Sequence, residues 1–413
     1  MNLLVCREHQ TLDVDFEINT AQQQTNTNKL FEVINNQVVC SYFIGVQWLT
    51  EDTAIYVEPK INKEEAQTNY LEMLFSALKH PEIAQQHTKE LFNIDFDANY
   101  IEIEQKQDLL TPLLVVQFLS VVKQIVKKGL KKSYYKVQNN LTAKVKGKIL
   151  VNETIKKNIV KQQPLKSFCS YDEFGLNNIE NRLLKKTLAF IQRYLPTIKH
   201  LSNQNNTNQA FIETIFNYVR PAFEFISEDA NLNEIKHTKT NAFYKEYEEA
   251  LRLAKLILKR FGYHINNIQE EKLIKVPPFW IDMAKLFELY VLGLLKDTFG
   301  ENVFYHFKSG GNELDYLLKT DKYKLVIDAK YKPIYTKTFM KEDIRQISAY
   351  ARLRKVYEKL DIAQNQVIDC LIIYPNQENG YLSFDNLDLL NDNHKVKKYI
   401  QFYKIGIKLP KIN

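Results

Sequence analysis

The chain has 413 residues, enough for about two or three domains, and its 45% hydrophobic and 25% charged residues are ordinary for a globular protein. The net charge of +7 favours a polyanionic partner only weakly. The four cysteines stand far apart in the sequence, which argues against a paired-cysteine zinc site and a disulfide framework and leads us to expect a reduced, cytoplasmic protein.

The first part of the chain, about 150 residues and thus the size of one domain, has a mixed α/β pattern. Short β-like runs occur at 38–48 and 54–58, on either side of a polar turn. Apolar residues at helical spacing predict a helix at 70–78 and a longer one at 109–126 that Gly129 closes. The longer helix holds the most apolar window of the chain, but polar residues interrupt this window and it is too short to span a membrane.

Residues 123–166 form a strongly basic segment, with thirteen lysines and a single acid, Glu153. Alternation of apolar and polar residues predicts a strand over 141–148 whose basic face carries Lys144, Lys146 and Lys148. The segment is either the solvated surface of a lysine-rich protein or a surface for phosphates or an acidic partner.

The middle of the chain is mostly helical. Helices are predicted at 179–194, 209–226 and 242–261, and Pro221 should kink or end the second of these early. Two prolines, at 277 and 278, then mark a boundary.

A strongly apolar helix is predicted over 279–295, with Glu288 on its apolar stripe. An unpaired buried carboxylate is costly, so Glu288 should have a specific partner. This partner is either Lys285, one turn back, or a metal, a lysine or a water in a site downstream. Because buried ionisable groups concentrate at functional sites, we favour the second interpretation.

Residues 310–331 have the pattern of a hairpin that carries chemistry. Asp315 lies on its first strand, and Asp328 and Lys330 lie on one face of an otherwise apolar second strand. Two acids and a lysine that converge at a strand end can hold a divalent metal and activate a water. A structural salt bridge between Asp328 and Lys330 is the alternative, and we favour the metal site.

Two elements downstream strengthen this hypothesis. A helix predicted at 340–360 carries Gln346, and the apolar run at 367–374 is typical of a buried strand. The order of helix, hairpin, helix and strand resembles the core of PD-(D/E)xK nucleases. In such a core Asp315 and Asp328 would bind Mg²⁺ or Mn²⁺.

The remaining residues of this core also have expected roles. Lys330 would orient the attacking water and stabilise the charge that develops on the phosphate, and Glu288 and Gln346 would complete the site. Lys341 and Arg345 would suit a DNA backbone, with Lys332 as an auxiliary phosphate contact. The sequence contains no G-x-x-x-x-G-K-[ST] loop, so we expect no nucleotide to be bound by a P-loop of this chain.

Seven stretches together resemble the McrC component of McrBC-type, modification-dependent restriction systems. They are residues 43–61, 70–78, 127–149, 169–188 and 279–291, and the pair ELDYLL (313–318) and VIDAKYK (326–332). In one departure from the family pattern, Leu314 stands where the family has a proline before the first acid. Because proline is not a ligand, we expect the metal site to survive.

The resemblance implies a two-part α/β protein, and we expect a helical connection between the two parts. Residues 1–165 would dock onto a hexamer of McrB-like AAA+ GTPase subunits and stimulate GTP hydrolysis, with Lys144, Lys146 and Lys148 as candidate contacts. Residues 166–265 would be a helical connection, and residues 266–413 the PD-(D/E)xK endonuclease. The implied substrate is methylated double-stranded DNA, and the implied role is antiviral defence. The alternatives are a non-catalytic activator of an AAA+ motor and a stand-alone repair or defence nuclease.

Overall fold

The computed structural model describes residues 2–13, 30–34, 37–60, 67–78, 80, 91–95, 98–104, 110–194, 206–231, 244–262 and 273–412. The chain divides into two compact units, of which one contains Met1–Val116 and Asn267–Asn413 and the other Gln117–Asn266. The first unit thus combines most of the predicted first segment (1–165) with nearly all of the predicted third segment (266–413). The second unit contains the predicted helical segment (166–265) and also residues 117–165.

Strands and helices both occur throughout the described residues. The strands are β1 (Asn2–Arg7), β2 (Thr11–Asp13), β3 (Phe31–Ile34), β4 (Gln37–Cys40), β5 (Phe43–Trp48), β6 (Thr53–Glu58), β7 (Gln67–Thr68), β8 (Phe92–Ile94), β9 (Ile101–Glu104), β10 (Ser133–Thr142), β11 (Lys148–Ile149), β12 (Lys166–Gly175), β13 (Leu273–Val276), β14 (Phe279–Asp282), β15 (Val303–Ser309), β16 (Asn312–Lys319), β17 (Lys324–Ala329), β18 (Asp369–Pro375), β19 (Phe402–Ile407) and β20 (Lys411–Ile412). The helices are α1 (Tyr70–Leu78), α2 (Leu110–Lys128), α3 (Val151–Thr154), α4 (Ile179–Tyr194), α5 (Asn206–Val219), α6 (Lys245–Gly262), α7 (Met283–Phe299), α8 (Lys341–Tyr350) and α9 (Arg354–Leu360).

The first unit contains a sheet in the order β15-β16-β17-β18-β19. Strands β15, β16 and β17 are antiparallel neighbours, whereas β17, β18 and β19 run parallel. The predicted hairpin is therefore confirmed, and the apolar run at 367–374 forms the buried strand β18. Apolar side chains of the sheet pack with those of α8 and α9 in one core, which includes Leu317, Val326, Ile344, Ile347 and Val356.

The helix predicted over 340–360 is interrupted, and α8 and α9 are separate helices. Buried residues at 344, 347 and 351 follow helical spacing, but the next one, Val356, comes five residues later. A continuous helix would turn Val356 away from the core, so the break restores the apolar face.

A second sheet of the first unit has the order β1-β6-β5-β14-β8. Its strand β14 corrects the prediction of one helix over 279–295, because Phe279–Asp282 pairs with β5 and β8 and α7 begins only at Met283. Phe279 and Ile281 are buried and alternate with two half-buried residues, which is a strand pattern. Asp282 caps the helix, since its Oδ1 atom accepts a hydrogen bond from the Lys285 N–H at 2.8 Å.

Helix α7 packs closely on α1. A Cβ atom at Gly293 would lie 2.6 Å from the backbone oxygen of Ser76, so only glycine permits this approach. Helix α1 has the predicted bounds of 70–78, and α2 covers nearly all of the residues predicted for it.

The second unit contains a long hairpin of β10 and β12, paired from Ser133↔Gly175 to Thr142↔Lys166. The strand predicted over 141–148 is wrong. The chain leaves the ladder at Ala143, where φ is +54°, and turns again at Gly147, where φ is +67°. A side chain at Gly147 would clash with the backbone oxygen of Ser170, so the turn requires glycine.

The helices of the second unit agree with the sequence pattern. Helix α4 has the predicted bounds, and α6 differs from its prediction by a few residues. Helix α5 ends at Val219, and a 3₁₀ turn containing Pro221 follows it, which confirms the expected effect of this proline.

Candidate functional site

The predicted acids meet at one end of the β16–β17 hairpin. The last paired residues at this end are Tyr316 and Ile327, so Asp315 and Asp328 occupy the next, opposite positions. The Asp315 Oδ2 atom accepts a hydrogen bond from the Ala329 backbone N–H at 2.9 Å, in the place where the ladder would continue. The two carboxyl groups are close enough for the charge of Asp328 to act on Asp315. The hairpin thus brings both carboxyl groups together, as the sequence predicts.

Burial makes this carboxyl pair difficult to ionise. Burial raises the pKa of Asp315 well above its usual range, and the neighbouring charges of Asp328 and Glu288 raise it further. Burial also raises the pKa of Asp328, although Lys330 counteracts this effect. Two adjacent acids in such a setting need a shared proton or a cation between them.

Lys330 follows β17 and supplies the positive charge of the site. Its Nζ atom lies 2.8 Å from Asp328 Oδ2 and donates a hydrogen bond to Gln346 Oε1 at 3.1 Å. Burial opposes the charged form of Lys330, but the carboxylates of Asp328 and Asp315 outweigh it, so the pKa of Lys330 is raised. Gln346 in turn donates to the Tyr350 hydroxyl at 2.8 Å. The lysine is therefore held as a cation by groups from two elements.

Glu288 lies on α7, close enough to Asp315 for its charge to act on that acid. Its partner is a histidine, which was not predicted from the sequence. The Glu288 Oε1 atom is 2.8 Å from His306 Nε2, on β15. The backbone oxygen of Glu288 also accepts a hydrogen bond from the Tyr316 hydroxyl at 2.6 Å. The only sequence signal for His306 was its place opposite Asp315 in the neighbouring strand, and this place depends on knowing the β15–β16 register.

The residues predicted to contact DNA fall into two groups. Lys341 and Arg345 are exposed on α8, the helix that carries Gln346. Lys332 instead forms an ion pair, with its Nζ atom 2.9 Å from both carboxylate oxygens of Asp343. The buried Asp343, which the sequence reasoning also missed, accepts a further hydrogen bond from the Tyr335 hydroxyl at 2.6 Å.

The three lysines predicted as partner contacts lie in the connection between β10 and β12, which returns alongside β12 so that Lys148 is opposite Ser170, and all three are exposed. Lys146 is 2.9 Å from Glu173 Oε1 and lies over the Tyr171 ring at 4.1 Å from its centroid. Lys144 and Lys148 flank it. They do not form one face of a strand, because the chain turns at Gly147 between them.

The donor set of the site suits a hard divalent cation. In the part of the chain that the structure describes, no group of three or more His, Cys, Asp or Glu is arranged to hold a metal ion. Mg²⁺, however, is usually held by only one or two carboxylates, together with water and substrate phosphate oxygens. The adjacent carboxyls of Asp315 and Asp328 meet this requirement, and their mutual repulsion is the kind that a cation relieves.

No helix among the described residues is both long and apolar enough to cross a membrane.

Comparisons with known proteins assign the chain to a family. The model of the McrBC 5-methylcytosine restriction system component matches residues 39–375. Among solved structures, a half-complex of Thermococcus gammatolerans McrB AAA+ hexamers with bound McrC is similar at 13% identity and a TM-score of 0.40, over 98% of this chain and 94% of that chain. The cryo-EM structure of the Thermococcus gammatolerans McrBC complex is similar at 15% identity and a TM-score of 0.29, over 71% of this chain and 87% of that chain. A search of curated proteins gave no match. Because the match to the family model extends over most of this chain, the chain belongs to the family of McrBC 5-methylcytosine restriction system components.

Proposed function

We propose that this chain is the Mg²⁺-dependent DNA endonuclease subunit of a McrBC-type restriction complex, and that it also binds and stimulates an McrB-like AAA+ GTPase. The observation that carries the nuclease half is the buried pair of Asp315 and Asp328, with the cationic Lys330 2.8 Å from Asp328. This combination of two acids and a lysine at a strand end is the donor set of a PD-(D/E)xK centre.

Each side chain has a defined task in phosphodiester hydrolysis. Asp315 and Asp328 would hold the cation, which, when bound, supplies Lewis-acid charge to the phosphate and lowers the pKa of a water. Lys330 donates hydrogen bonds from Nζ, and its raised pKa keeps these donors present at neutral pH. It can therefore hold the attacking water and stabilise negative charge that develops on the phosphate. Gln346 fixes the position of the lysine head group.

The exposed side of α8 is the proposed path of the DNA backbone. Lys341 and Arg345 lie one turn apart on this helix, and Arg345 directly precedes Gln346, which contacts Lys330. A phosphate held by them would lie on the helix that also positions the lysine. Lys332 is less suited to a phosphate, because it would have to release Asp343 and leave that buried carboxylate unpaired. We therefore assign the phosphate contacts to Lys341 and Arg345.

The hairpin of β10 and β12, with the loop between them (residues 133–175, the basic arm), is the proposed docking element for the motor. It carries most of the basic segment and also exposes large apolar side chains, the most exposed of which are Tyr134, Val160, Leu165, Val151 and Phe174. Exposed apolar residues bordered by lysines are typical of a protein interface. Membership of the McrBC family supports an McrB-like hexamer as the partner. The absence of a P-loop motif in the sequence is consistent with GTP hydrolysis by that partner.

The decisive experiment combines the purified chain with its AAA+ partner, GTP, Mg²⁺ and methylated plasmid DNA. Replacing Asp328 with Ala should abolish cleavage and leave stimulation of GTP hydrolysis intact. Asp392→Ala removes a 94% exposed carboxylate of the same unit and should change neither activity.

Other outcomes would favour the alternatives. Unchanged cleavage by the Asp328→Ala protein would refute the catalytic assignment. Cleavage by the chain without any partner would indicate a stand-alone nuclease. Stimulation of GTP hydrolysis without cleavage by the unmodified chain would indicate a non-catalytic activator.

A further inference from the structure

His306 adopts an unusual backbone conformation in the middle of a strand. Its φ of +50° lies in the left-handed region, which non-glycine residues seldom occupy and which is rarer still within a β-ladder. The pairs on either side are Tyr305↔Tyr316 and Phe307↔Leu314, so His306 lies opposite Asp315, where the ladder pairing is interrupted. Strained backbone persists only where its surroundings determine it, and such strain clusters at functional sites.

Three contacts fix the orientation of the His306 ring. Nε2 lies 2.8 Å from Glu288 Oε1, and Nδ1 lies 2.8 Å from Glu313 Oε1. The ring also stacks on Tyr305, with 3.8 Å between the ring centroids. Both ring nitrogens are thus engaged by carboxylate oxygens, so the ring is held from two sides.

The His306 ring lies between two carboxylates, the more exposed Glu313 and the more buried Glu288, which is near Asp315. The Glu313 side chain is 43% exposed, whereas that of Glu288 is only 19% exposed. Glu288 is close enough to Asp315 for its charge to raise the pKa of that acid. From its place opposite Asp315, the strained conformation directs ring Nε2 towards Glu288.

We propose that His306 is a positioning residue that, held at Nδ1 by Glu313, fixes the Glu288 carboxylate on the Asp315 side of the site, where it acts on the divalent cation through a bound water. This assignment rests on the proposed nuclease function and adds to it a residue outside the two acids and the lysine. Groups that orient metal ligands from behind typically change metal affinity or activity by about 10- to 100-fold.

The main variant is His306→Gly. Glycine accepts a positive φ without strain, so this change removes the imidazole while favouring the native backbone. With the DNA-free full-length chain and Mn²⁺ as the probe, followed by electron paramagnetic resonance of the free ion, we expect affinity to fall about tenfold. Cleavage of methylated DNA with the partner should fall at least about as much. The unfolding midpoint should stay close to that of the unmodified chain.

Rescue of the His306→Gly variant by added imidazole distinguishes a positioning role of the His306 ring from a general effect of the substitution on the fold. The His306 side chain is 28% exposed, so free imidazole can reach the space that the glycine variant leaves. Added imidazole should restore part of the Mn²⁺ affinity and of the cleavage rate. The matched control is His80→Gly, because His80 also pairs with a carboxylate, at 3.1 Å from Asp297 Oδ1. This control should lose neither property and should not respond to imidazole.

A double-mutant cycle tests whether His306 acts through Glu288. In a Glu288→Gln background, His306→Gly should cost little further affinity or activity, because its target is already neutral. Equal losses in both backgrounds, or unchanged Mn²⁺ binding and cleavage in the His306→Gly protein, would overturn the proposal. If the glycine variant does not fold, His306→Asn replaces it. Asparagine tolerates positive φ but is too short to reach Glu288, so the same losses are expected. Cleavage that survives Asp328→Ala would refute the proposed function itself, while the Mn²⁺ measurements on His306→Gly would still test the positioning role.

Discussion

The hydroxyl of Tyr331 donates a hydrogen bond to Glu8 Oε2 at 3.3 Å, which ties the residue next to Lys330 to the end of the first strand of the chain. Lys60 completes the contact, with its backbone N–H donating to the same Glu8 oxygen at 2.9 Å and its Nζ atom 4.2 Å from the centre of the Tyr331 ring. Within the first unit, the sheet that contains β1 and β6 therefore supports the strand end that carries the proposed catalytic lysine.

The Glu8 contact predicts a pH dependence of stability. Burial raises the pKa of Glu8 to about 7, from an ordinary value of 4.5, although Lys60 and Tyr331 act in the opposite direction. A raised acid pKa means that the folded state binds more protons than the unfolded state between these two values. The stability contribution of protonated Glu8 is thus fully present below about pH 4.5 and is lost as the pH rises through about 7.

Glu8→Gln should remove this dependence, because glutamine stays neutral and retains an acceptor oxygen. Urea unfolding at pH 5 and at pH 8 measures how far the free energy of unfolding falls over this range. We expect this decrease to be smaller in the variant than in the unmodified chain, by on the order of 2 to 3 kcal/mol. Glu301→Gln, at an exposed carboxylate of the same unit, should leave the pH profile unchanged. A profile that Glu8→Gln does not alter would show that Glu8 titrates normally in the folded protein.

The aspartate pair predicts that activity and stability oppose each other. Asp315→Asn keeps an oxygen for the Ala329 N–H and removes a charge that burial and Asp328 disfavour. In EDTA the variant should therefore be more stable, by about 1 to 2 kcal/mol, and this gain should grow with pH because the folded-state pKa of Asp315 is raised.

Adding Mg²⁺ should reverse this order. The unmodified chain binds the cation in its folded state and gains stability by mass action, whereas Asp315→Asn should gain little. Thermal unfolding with EDTA and with Mg²⁺ measures both effects. Asp321→Asn, at an exposed acid in the hairpin turn, is the control. Equal stabilisation of both proteins by Mg²⁺ would place the cation elsewhere.

The contact between Lys330 and Gln346 predicts a graded loss of cleavage. Lys330→Ala removes the donor that stabilises developing charge, so the cleavage rate should fall by at least about 100-fold. Gln346→Ala removes one hydrogen bond to the lysine head and should cost about tenfold. Ser348→Ala, at an exposed position of the same helix, should retain full activity. A larger loss for Gln346→Ala than for Lys330→Ala would mean that the glutamine itself acts on the substrate.

The sequence predicted the hairpin acids well because strand alternation and a polar turn are local signals. Asp315, Asp328 and Gln346 lie in the elements expected for them, whereas Lys330, expected on the second strand, directly follows the end of β17. It failed at Phe279–Asp282, because only pairing with β5, more than 200 residues earlier, makes this segment a strand rather than the first turn of α7. His306 was missed for a related reason, since its importance comes from the opposite strand and from a helix 18 residues away, and not from any pattern around it.

The lysine alternation at 141–148 misled for a different reason. Positive φ values at Ala143 and Gly147 let the chain turn, and such values are not visible as apolar periodicity. The turn nevertheless leaves the lysines exposed, so the predicted role as a partner surface does not depend on the strand and can be tested directly.

The basic arm predicts two separable effects on motor activation. Val160→Ser combined with Leu165→Ser removes apolar side chains that are 72% and 71% exposed, so the fold should be unaffected and binding to the AAA+ partner should weaken. Lys144→Glu combined with Lys148→Glu reverses two exposed charges and should mainly slow association and reduce its salt dependence. Stimulated GTP hydrolysis, titrated with each variant at several salt concentrations, measures both effects.

Exposed apolar residues outside the arm provide the matched control. Leu382 and Ile400 are 74% and 83% exposed in the first unit, so their double serine variant should stimulate the motor normally. The basic-arm variants should still bind DNA, since Lys341 and Arg345 are unchanged. If the serine and glutamate variants both stimulate GTP hydrolysis as the unmodified chain does, residues 133–175 are a solvated surface, and the motor must dock on another part of the chain.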